Sequence, residues 1–333
     1  DTVEMQRLRR VKQLGFTNLI YPGANHTRFE HSIGTLYLAS KLSRRLGLEE
    51  DVIELLRVCG LLHDIGHAPF SHVSERALKH KHETVTKDII RNSAITDIIT
   101  EKFNANYITK IIDGKTKYGQ IISSDLDVDR MDYLIRDSYY TGVAYGVIDT
   151  ERLLYSLKYD ENDNIILTQK GVQAAESTLL ARYFMYPTVY QHHTTRIVNA
   201  MFRVCLKQLL NDKIVEEKDL KLLDDGDLIN IARNTTGLPE ETMKNLDTRH
   251  LYKKIDTVNL ANFENPEKIV NMDAEILTEA EEEIAHNLDI APEEVIIDLP
   301  EALSFKDMVI EVETDNGLKK LSEVSTIVDS LKK

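Results

Sequence analysis

The segment from residue 61 to residue 72 constrains this chain more than any other. It ends an apolar run that starts at Val52, and this run predicts a helix through the core of a domain. Three histidines and one aspartate lie within ten residues at the end of that helix: His63, Asp64, His67 and His72. Imidazole nitrogens and carboxylate oxygens suit a divalent transition metal or Mg²⁺. The alternative, ordinary histidines held by hydrogen bonds, is less favoured because polar groups are rarely gathered in a core without a function.

The overall composition is that of a globular protein, and it argues against several classes. Of the 333 residues, 42% are hydrophobic and 29% are charged. A net charge of −14 argues against a protein that coats nucleic acid. The sequence shows neither a membrane span of about 18 apolar residues nor a signal peptide, so we expect a cytoplasmic protein with no membrane partner. Cys59 and Cys205 are expected to be reduced core thiols rather than a disulfide.

Two N-terminal segments predict helices. Residues 5–14 alternate basic and apolar side chains, which predicts a short basic amphipathic helix closed by Gly15. The usual interpretation of such a segment is a solvated basic face. Thr27 and Glu30 have the spacing of a capping box, so a helix should begin there and direct His31 inward. A lone inward histidine is more often structural, but His31 gains weight because the central segment requires a further metal ligand.

Alternating aspartates from Asp125 to Asp129 suggest a calcium loop at first sight. That interpretation fails because Arg130 and Arg136 stand where such a loop requires Gly and Glu. A helix fits better, and it places Asp129 on one face with Asp132. Asp129 can then face a metal ion. The alternative is an acidic first turn that the helix dipole stabilises.

The remainder of the chain predicts a hairpin, a long helix and a smaller lobe. Short β-like runs at 157–159 and 165–168 flank a polar turn. Residues 171–210 predict a helix that Pro187 should kink. The composition changes near residue 211, so we expect one domain at 1–210 and another at 211–333. Within the second, the patterns predict helices at 275–288 and 321–331 and strands at 294–298 and 308–312.

Several ordered motifs resemble those of the HD-domain metal phosphohydrolases, and more closely the SAMHD-type deoxynucleoside triphosphate (dNTP) triphosphohydrolases. These motifs are residues 13–15, 21–24, 28–34, 61–72, 82–83, 127–133 and 190–192. The resemblance covers residues 1–210 and part of the acidic region after them. It implies a mainly α-helical HD-domain fold, to which residues 211–333 would add a small α+β C-terminal lobe.

The resemblance also implies the chemistry of the centre. One divalent metal ion would be held by His31, His63, Asp64 and Asp129. Fe²⁺, Mn²⁺, Mg²⁺ and Zn²⁺ all stay open, because nitrogen and oxygen ligands select weakly among them. The residues implied in catalysis are His67, beside the triphosphate, and His72 and His82, which would carry protons, with Glu83 orienting His82.

The same resemblance implies a dNTP substrate, hydrolysed to deoxynucleoside and tripolyphosphate. Near the triphosphate it implies Arg28, Tyr133 and Arg130, which stands where relatives usually have lysine. Around the sugar and base it implies Gln13, Leu14, Asp137, Arg182 and Tyr190.

Regulation and assembly form the last part of the resemblance. The N-terminal segment resembles a site where a GTP or dNTP effector sits between subunits, and Asp1, Gln6 and Arg9 take the matching positions. Arg152 and Lys170 match basic residues of a second effector site. Relatives carry a segment before the position of Asp1, so part of this site is expected outside the sequence. We therefore expect a homo-oligomer, either a tetramer or a dimer.

Two other function classes stay open. An HD-type nucleotidase, phosphodiesterase or nuclease is compatible with the same metal ligands, since those ligands do not choose which phosphate is attacked. A nucleotide-sensing scaffold without catalysis is the non-enzyme alternative. Intact His63, Asp64, His72 and His82 argue against a pure sensor, which would not need both a metal and proton carriers.

Overall fold

The first part of the chain is helical, as its apolar periodicity predicts. The computed structural model describes residues 1–75, 77–78, 80–265, 268–269, 272, 274–299 and 309–332. The helices before the hairpin are α1 (Val3–Arg7), α2 (Arg28–Arg45), α3 (Glu50–Leu62), α4 (Ser71–Glu75), α5 (His82–Asn92), α6 (Ala94–Thr100), α7 (Ala105–Ile112), α8 (Gly119–Ile122), α9 (Val128–Thr141) and α10 (Thr150–Ser156).

The second part combines helices with short strands. Its elements are β1 (Leu157–Tyr159), β2 (Ile165–Thr168), α11 (Val172–Met185), α12 (His193–Asn211), α13 (Asp225–Arg233), α14 (Leu238–Asp247), α15 (Ala274–Leu288), β3 (Glu311–Thr314), β4 (Gly317–Lys320), α16 (Leu321–Val324) and α17 (Thr326–Leu331). The mainly α-helical fold with a small sheet is thereby confirmed. Among the described residues, no helix combines the length and the apolar character needed to cross a membrane.

Local side-chain signals set the ends of the helices that carry the site. The predicted capping box is present: Thr27 N donates to Glu30 Oε2 at 2.6 Å, and Thr27 Oγ1 accepts from Glu30 N at 3.4 Å. Asp127 caps α9 by accepting from the backbone N–H of Arg130 at 2.8 Å. Gly142 ends α9 in the left-handed conformation, with φ of 74°.

The N-terminal segment differs from the predicted single helix. Helix α1 ends at Arg7, a 3₁₀ turn follows over Leu8–Arg10, and the chain then becomes extended. Gln13 N donates to the carbonyl of His26 at 3.0 Å, and Lys12 pairs with Thr27 in an antiparallel bridge. This pairing satisfies the backbone groups that a continued helix would have used.

Two clusters of buried apolar side chains form the core. The larger one brings together α2, α3, α9 and α11, and α3 runs along α2. The smaller one packs α12, α13 and α14 against Phe16 and Phe70, whose rings stack at 4.2 Å. Cys59 lies in the larger cluster and Cys205 in the smaller, and both are free thiols, as predicted.

One mixed sheet joins the middle of the chain to its C-terminal part. The predicted hairpin is confirmed: β1 and β2 pair antiparallel, with Lys158 opposite Ile166. Strand β3 pairs parallel with β2 and antiparallel with β4. Strands from both sides of residue 210 therefore share one sheet.

The structure differs from three of the predicted elements. Pro187 does interrupt the long helix, through a π-helical turn over Tyr186–Tyr190 between α11 and α12. The predicted strand at 294–298 is wrong, because Ile297 N donates to Glu281 Oε1 and not to a neighbouring strand. The C-terminal helix is divided at Ser325, whose hydroxyl caps α17.

Candidate active site

The four side chains predicted to bind metal converge at one point. His31 lies on α2, His63 and Asp64 follow α3, and Asp129 lies on α9. His31 Nε2 lies 3.2 Å from His63 Nε2 and 3.0 Å from Asp129 Oδ1. Oxygens of Asp64 lie 3.6 Å from His31 Nε2 and 3.3 Å from His63 Nε2. Ligands that share one ion at about 2.1 Å are about 3.0 to 3.4 Å apart, so this donor set fits a divalent ion.

Both imidazoles are held so that Nε2 faces the centre. His31 Nδ1 donates to Asp132 Oδ2 at 2.8 Å, and His63 Nδ1 donates to the carbonyl of Gly60 at 2.8 Å. Carboxylate and carbonyl oxygens only accept, so the Nδ1 atoms carry the protons. Arg136 donates to both oxygens of Asp132, each at 2.8 Å. This arrangement is typical of histidines that bind metal through Nε2.

Gly34 leaves the space that Asp132 and Arg136 occupy. A Cβ atom at this position would lie 1.8 Å from Asp132 Oδ1 and 2.4 Å from Arg136 Nη2. Because both side chains are packed there, a larger residue would displace the carboxylate that orients His31. The glycine in the motif 28–34 is thus explained by the site.

The charges of the cluster favour a bound cation. Burial lowers the pKa of His31, but its hydrogen bonds to Asp129 and Asp132 outweigh this and raise the pKa to about 10. Burial raises the pKa of Asp129, yet the hydrogen bonds from His31 and His63 bring it below its usual value. In the chain alone, a proton on His31 therefore balances the carboxylates. A metal ion at Nε2 would displace that proton, so metal affinity should rise with pH.

Arg28 brings a positive charge to the edge of the cluster. Its guanidinium contacts Asp64 Oδ2 through Nη1, and its Nε donates to Ser71 Oγ at 2.6 Å. The side chain is only 2% exposed. A fixed guanidinium beside a metal ligand is well placed to neutralise a phosphate group bound to the ion.

His82 lies beside the cluster at the first turn of α5. Its ring stacks on that of His67 with centroids 3.8 Å apart, and ligand atoms of Asp64, His67 and His82 lie within 4.8 Å of one another. Glu75 Oε1 accepts from the backbone N–H of His82 at 2.9 Å and also contacts His82 Nδ1. Glu75 and His82 both line a cavity of about 490 Å³.

Glu83 does not have the orienting position predicted for it. Its carboxylate lies 3.7 Å from His82 Nδ1, beyond hydrogen-bonding distance, and is half exposed. Glu75 occupies that position instead because α4 brings it back toward α5. In the sequence, Glu75 is distinguished only by its position shortly after residues 61–72. The side chain of His72 lies outside the part of the chain that the structure describes.

Arg130, predicted near the triphosphate, and Arg182, predicted near the sugar and base, both lie near Tyr133 on α9. Burial raises the pKa of Tyr133, against the opposing effect of the nearby charges of Arg182 and Arg130. Arg130 contacts the carboxylate of Asp127 and the carbonyl of Ser124. The structure thus brings both predicted arginines close to the phenol ring.

Asp137 and Tyr190, predicted near the sugar and base, meet in the interior. Tyr190 Oη donates to Asp137 Oδ2 at 2.8 Å, and the ring of Tyr133 lies edge-on to that of Tyr190 at 6.1 Å. The other oxygen of Asp137 bonds to His26 Nε2 at 2.8 Å. The sequence reasoning missed His26, although it lies between two of the motifs that carry the resemblance. Gln13 lies on the extended segment paired with His26.

Leu14 is partly buried and packs against the larger core cluster. It follows Gln13 at the start of the 3₁₀ turn Gly15–Leu19. The contact of Leu14 with a nucleoside stays a prediction.

The residues predicted to bind effectors lie at the surface in two groups. Gln6 Nε2 donates to Asp1 Oδ1 at 3.3 Å, and Arg9 Nε donates to Gln6 Oε1 at 2.8 Å. Elsewhere, Arg152 Nε donates to the carbonyl of Lys170 at 3.2 Å. The structure brings together the members of each group, but their effector role stays a prediction.

Family models match most of the chain. An HD domain matches residues 28–137, and an HD-associated region matches residues 148–333. The first match contains the four candidate metal ligands, and the second contains the sheet.

Curated relatives are similar over different shares of their length. An uncharacterized protein of Methanocaldococcus jannaschii is 38% identical over 100% of this chain and 71% of its own length. An uncharacterized protein of Bacillus subtilis is 40% identical over 59% of this chain and 47% of its own. A deoxynucleoside triphosphate triphosphohydrolase SAMHD1 homolog of Dictyostelium discoideum is 30% identical over 78% of this chain and 56% of its own. The chain thus spans about half the length of the latter two relatives.

Solved structures show the same architecture. A hypothetical protein from Aquifex aeolicus superposes with a TM-score of 0.81 at 31% identity, covering 100% of this chain and 88% of the other. A phosphohydrolase from Bacteroides thetaiotaomicron gives 0.77 at 25% identity, covering 100% and 91%. The matching models, the relatives and the convergence of the H…HD…D side chains agree. The chain belongs to the HD-domain phosphohydrolases and consists of an HD domain followed by an HD-associated region.

Proposed function

We propose that the protein is a metal-dependent dNTP triphosphohydrolase that releases deoxynucleoside and tripolyphosphate. The observation that carries this proposal is the row of side chains along the inner face of α9. Asp129, Tyr133 and Asp137 are spaced at i, i+4 and i+8, so they share one face of the helix. This row leads from the candidate metal cluster, past Tyr133 with Arg130 and Arg182 near it, to the buried Asp137. It suits a ligand with phosphates at one end and a nucleoside at the other.

The chain's own residues would carry out most of the chemistry. A divalent ion at the cluster would polarise the α-phosphate and supply an activated water. Arg28 and Arg130 would neutralise the triphosphate, which is the main requirement of phosphoryl transfer. Arg182, which the resemblance assigns to the sugar and base, adds a positive charge beside Tyr133. The bond between the α-phosphorus and the 5′-oxygen breaks, the water oxygen stays on the tripolyphosphate, and the 5′-oxygen takes a proton. His82, held by Glu75, is the candidate donor of that proton.

Product analysis tests the proposal directly. The protein is loaded with Mn²⁺ and incubated with each of the four dNTPs, and the products are separated by ion-exchange chromatography. We expect tripolyphosphate and deoxynucleoside in equal amounts. Orthophosphate or pyrophosphate as the first product would contradict the proposal and favour another HD-type nucleotidase.

Two variants show whether the candidate site is responsible. Asp64→Asn keeps the side-chain volume but removes the charge, so it should lose metal and nearly all turnover. Asp113→Asn is the matched control, because Asp113 is also an ion-paired aspartate, held by Lys87 and Lys115 away from the cluster. Full metal content with full turnover in Asp64→Asn would reject the assignment.

We also propose that a guanine nucleotide or a dNTP binds Asp1, Gln6 and Arg9 and promotes a homo-oligomer. Support comes from the exposed chain of hydrogen bonds among these three side chains, in which the Gln6 amide bonds to the carboxylate of Asp1 and to the guanidinium of Arg9. Sedimentation and dNTP turnover, both recorded with and without GTP, test this. Unchanged mass and rate, in the original chain and in Arg9→Ala alike, would reject it.

A further inference from the structure

Asp225, the first residue of α13, ties together two segments that are distant in the sequence. Its Oδ2 accepts from the backbone N–H of Lys12 at 2.9 Å, and its Oδ1 accepts from the backbone N–H of Phe70 at 3.0 Å. Asp225 is only 5% exposed. It belongs to the HD-associated region, whereas Phe70 lies in the HD domain and Lys12 precedes both. One buried carboxylate therefore joins three parts of the chain.

The start of α13 holds Asp225 in place. Asp224 caps the helix by accepting from the backbone N–H of Asp227 at 3.0 Å, and Asp227 Oδ2 accepts from Asp224 N at 3.0 Å. This capping box satisfies backbone groups of the first turn without using the side chain of Asp225. Burial raises the pKa of Asp225 to about 6, against the hydrogen bonds from Lys12 and Phe70. The carboxylate is therefore charged at pH 8.

Phe70 and Ser71 have a backbone conformation that most residues avoid. Their φ angles are 54° and 30°, which is the left-handed region. The ring of Phe70 stacks on Phe16 and packs against Phe202, while its backbone N–H is held by Asp225. Such strain persists only where surrounding contacts over-determine it. The bond to Asp225 is thus one of the contacts that keep Ser71 in position.

The two segments that Asp225 ties together are both bonded to Arg28. The backbone N–H of Arg28 donates to the carbonyl of Val11 at 2.9 Å, on the N-terminal segment. Its Nε donates to Ser71 Oγ at 2.6 Å, on the central segment. The guanidinium also contacts the carboxylate of Asp64. The backbone and the side chain of Arg28 are therefore fixed from the two sides that Asp225 holds together.

We infer that Asp225 is a positioning residue for Arg28: it holds the N-terminal and central segments so that the guanidinium faces a phosphate group bound at the metal cluster. The phosphate-binding role of Arg28 rests on the proposed function. Asp225 acts through the backbone of Lys12 and Phe70 and through Ser71. A misplacement of about 1 Å that starts far from the chemistry can cost about 100-fold in rate.

The test measures kcat/KM for a dNTP at saturating Mn²⁺ and pH 8. The amide of Asp225→Asn has one acceptor oxygen, so one of the two backbone N–H groups would face an amide N–H. We expect kcat/KM to fall by roughly 10- to 100-fold. Asp224→Asn, at the neighbouring and equally buried aspartate, is the matched control. Because asparagine also caps helices, this control should stay within about threefold of the original chain. An unchanged kcat/KM in Asp225→Asn would overturn the inference.

A double-mutant cycle with Arg28 separates positioning from a general structural role. Arg28→Lys keeps the positive charge but loses the Nε–H that bonds to Ser71. If Asp225 acts through Arg28, adding Asp225→Asn to Arg28→Lys should lower kcat/KM by no more than about threefold further. A double variant that loses the product of the two single effects would contradict positioning. If Asp225→Asn does not fold, as judged by thermal unfolding, Asp225→Ser replaces it, because serine brings no amide N–H into the buried site.

Binding of tripolyphosphate separates this inference from the proposed function. Titration calorimetry of the Mn²⁺-loaded protein needs no turnover, and tripolyphosphate offers Arg28 a phosphate group. If the original chain hydrolyses no dNTP, the proposed activity fails. Binding that is about tenfold weaker or more in Asp225→Asn, but unchanged in Asp224→Asn, would still support the inference. Equal binding by all three proteins, or no binding by the original chain, would reject it.

Hydrogen exchange of the metal-free chain gives a measurement that depends on neither metal nor substrate. Backbone amides held by a buried acceptor exchange slowly, so losing that acceptor should speed exchange locally. Peptides that cover residues 8–14 and 65–71 should exchange faster in Asp225→Asn than in Asp224→Asn. Unchanged exchange in both peptides would show that Asp225 does not hold these segments.

Discussion

Asp132 is the side chain through which the fold holds the candidate metal ligand His31. Its Oδ2 accepts from His31 Nδ1, and both of its oxygens accept from Arg136. Burial raises the pKa of Asp132, but Arg136 and His31 outweigh this and lower it. The carboxylate is therefore charged at neutral pH, and it strengthens the imidazole as a metal ligand.

Asp132→Asn should weaken metal binding by about 10- to 100-fold, the usual effect of removing such a supporting carboxylate. This corresponds to about 1.4 to 2.7 kcal/mol. An amide can still accept one hydrogen bond from His31, but it has no charge and cannot accept from both nitrogens of Arg136. The loss of metal affinity should thus be smaller than in Asp64→Asn, which changes a candidate metal ligand itself.

The assay is a competition titration of the metal-free protein with Mn²⁺ and a chelator, followed by dNTP turnover at increasing Mn²⁺. The expected result is a weaker affinity together with turnover that saturating Mn²⁺ largely restores. Asp113→Asn, the ion-paired control, should match the original chain in both measurements. Unchanged affinity in Asp132→Asn, or a loss of turnover that saturating metal does not restore, would refute the reasoning.

Two further predictions concern the neighbourhood of His82. Burial lowers the pKa of His82, but Glu75 and the charge of Asp64 outweigh this and raise it. A proton donor works below its pKa, so activity should fall as the pH rises through the pKa of His82. Glu75→Gln should lower that pKa and move the alkaline limb of the pH–rate profile to lower pH. An unmoved limb would contradict the role of Glu75 in holding the proton on His82. Gly66→Ala should lower the free energy of unfolding, measured in urea, by about 1 to 3 kcal/mol. The reason is that a Cβ would lie 2.2 Å from the backbone N of Thr86 and 2.5 Å from the His82 carbonyl. Unchanged stability would show that α5 moves away from the added methyl group without loss of packing.

Local signals in the sequence predicted much of the fold. The capping box at Thr27 and Glu30 and the apolar periodicity of α3 depend on neighbours in the chain, so they could be recognised without the structure. The N-terminal helix was predicted too long because Gln13 pairs with His26, and the pattern of basic and apolar residues does not reveal such pairing. The predicted strand at 294–298 is wrong for a similar reason, since the backbone N–H of Ile297 and the carbonyl of Asp298 bond to side chains on α15 and α12.

The candidate metal ligands could be named because the order of their motifs resembles that of a known family. Supporting residues could not, because they act through contacts between distant parts of the chain. His26 and Asp137 are 111 residues apart, and His31 and Asp132 are 101 apart. The helix pattern predicts that Asp132 shares a face with Asp129, but it does not show that Asp132 contacts His31.

The basic side chains near the N-terminus have different roles, although the sequence suggested one solvated face. Arg7 is 2% exposed, and burial lowers its pKa to about 10. Its guanidinium donates to the carbonyls of Ile65 at 3.1 Å and His67 at 2.8 Å, just after the candidate metal ligands His63 and Asp64. Arg9, by contrast, stays at the surface over the ring of Phe29, with its guanidinium carbon 3.6 Å from the ring centroid.

Arg7 connects the proposed effector site to the candidate metal centre. Gln6 on α1 and Arg9 in the following 3₁₀ turn would bind an effector, while Arg7, at the end of α1, is bonded to the backbone carbonyl of His67. A second link runs through Asp225, which accepts from the backbone N–H groups of Lys12 at 2.9 Å and Phe70 at 3.0 Å. A shift of α1 on effector binding would therefore act on both ends of the segment from Ile65 to Phe70, without any contact between the effector and the metal ligands.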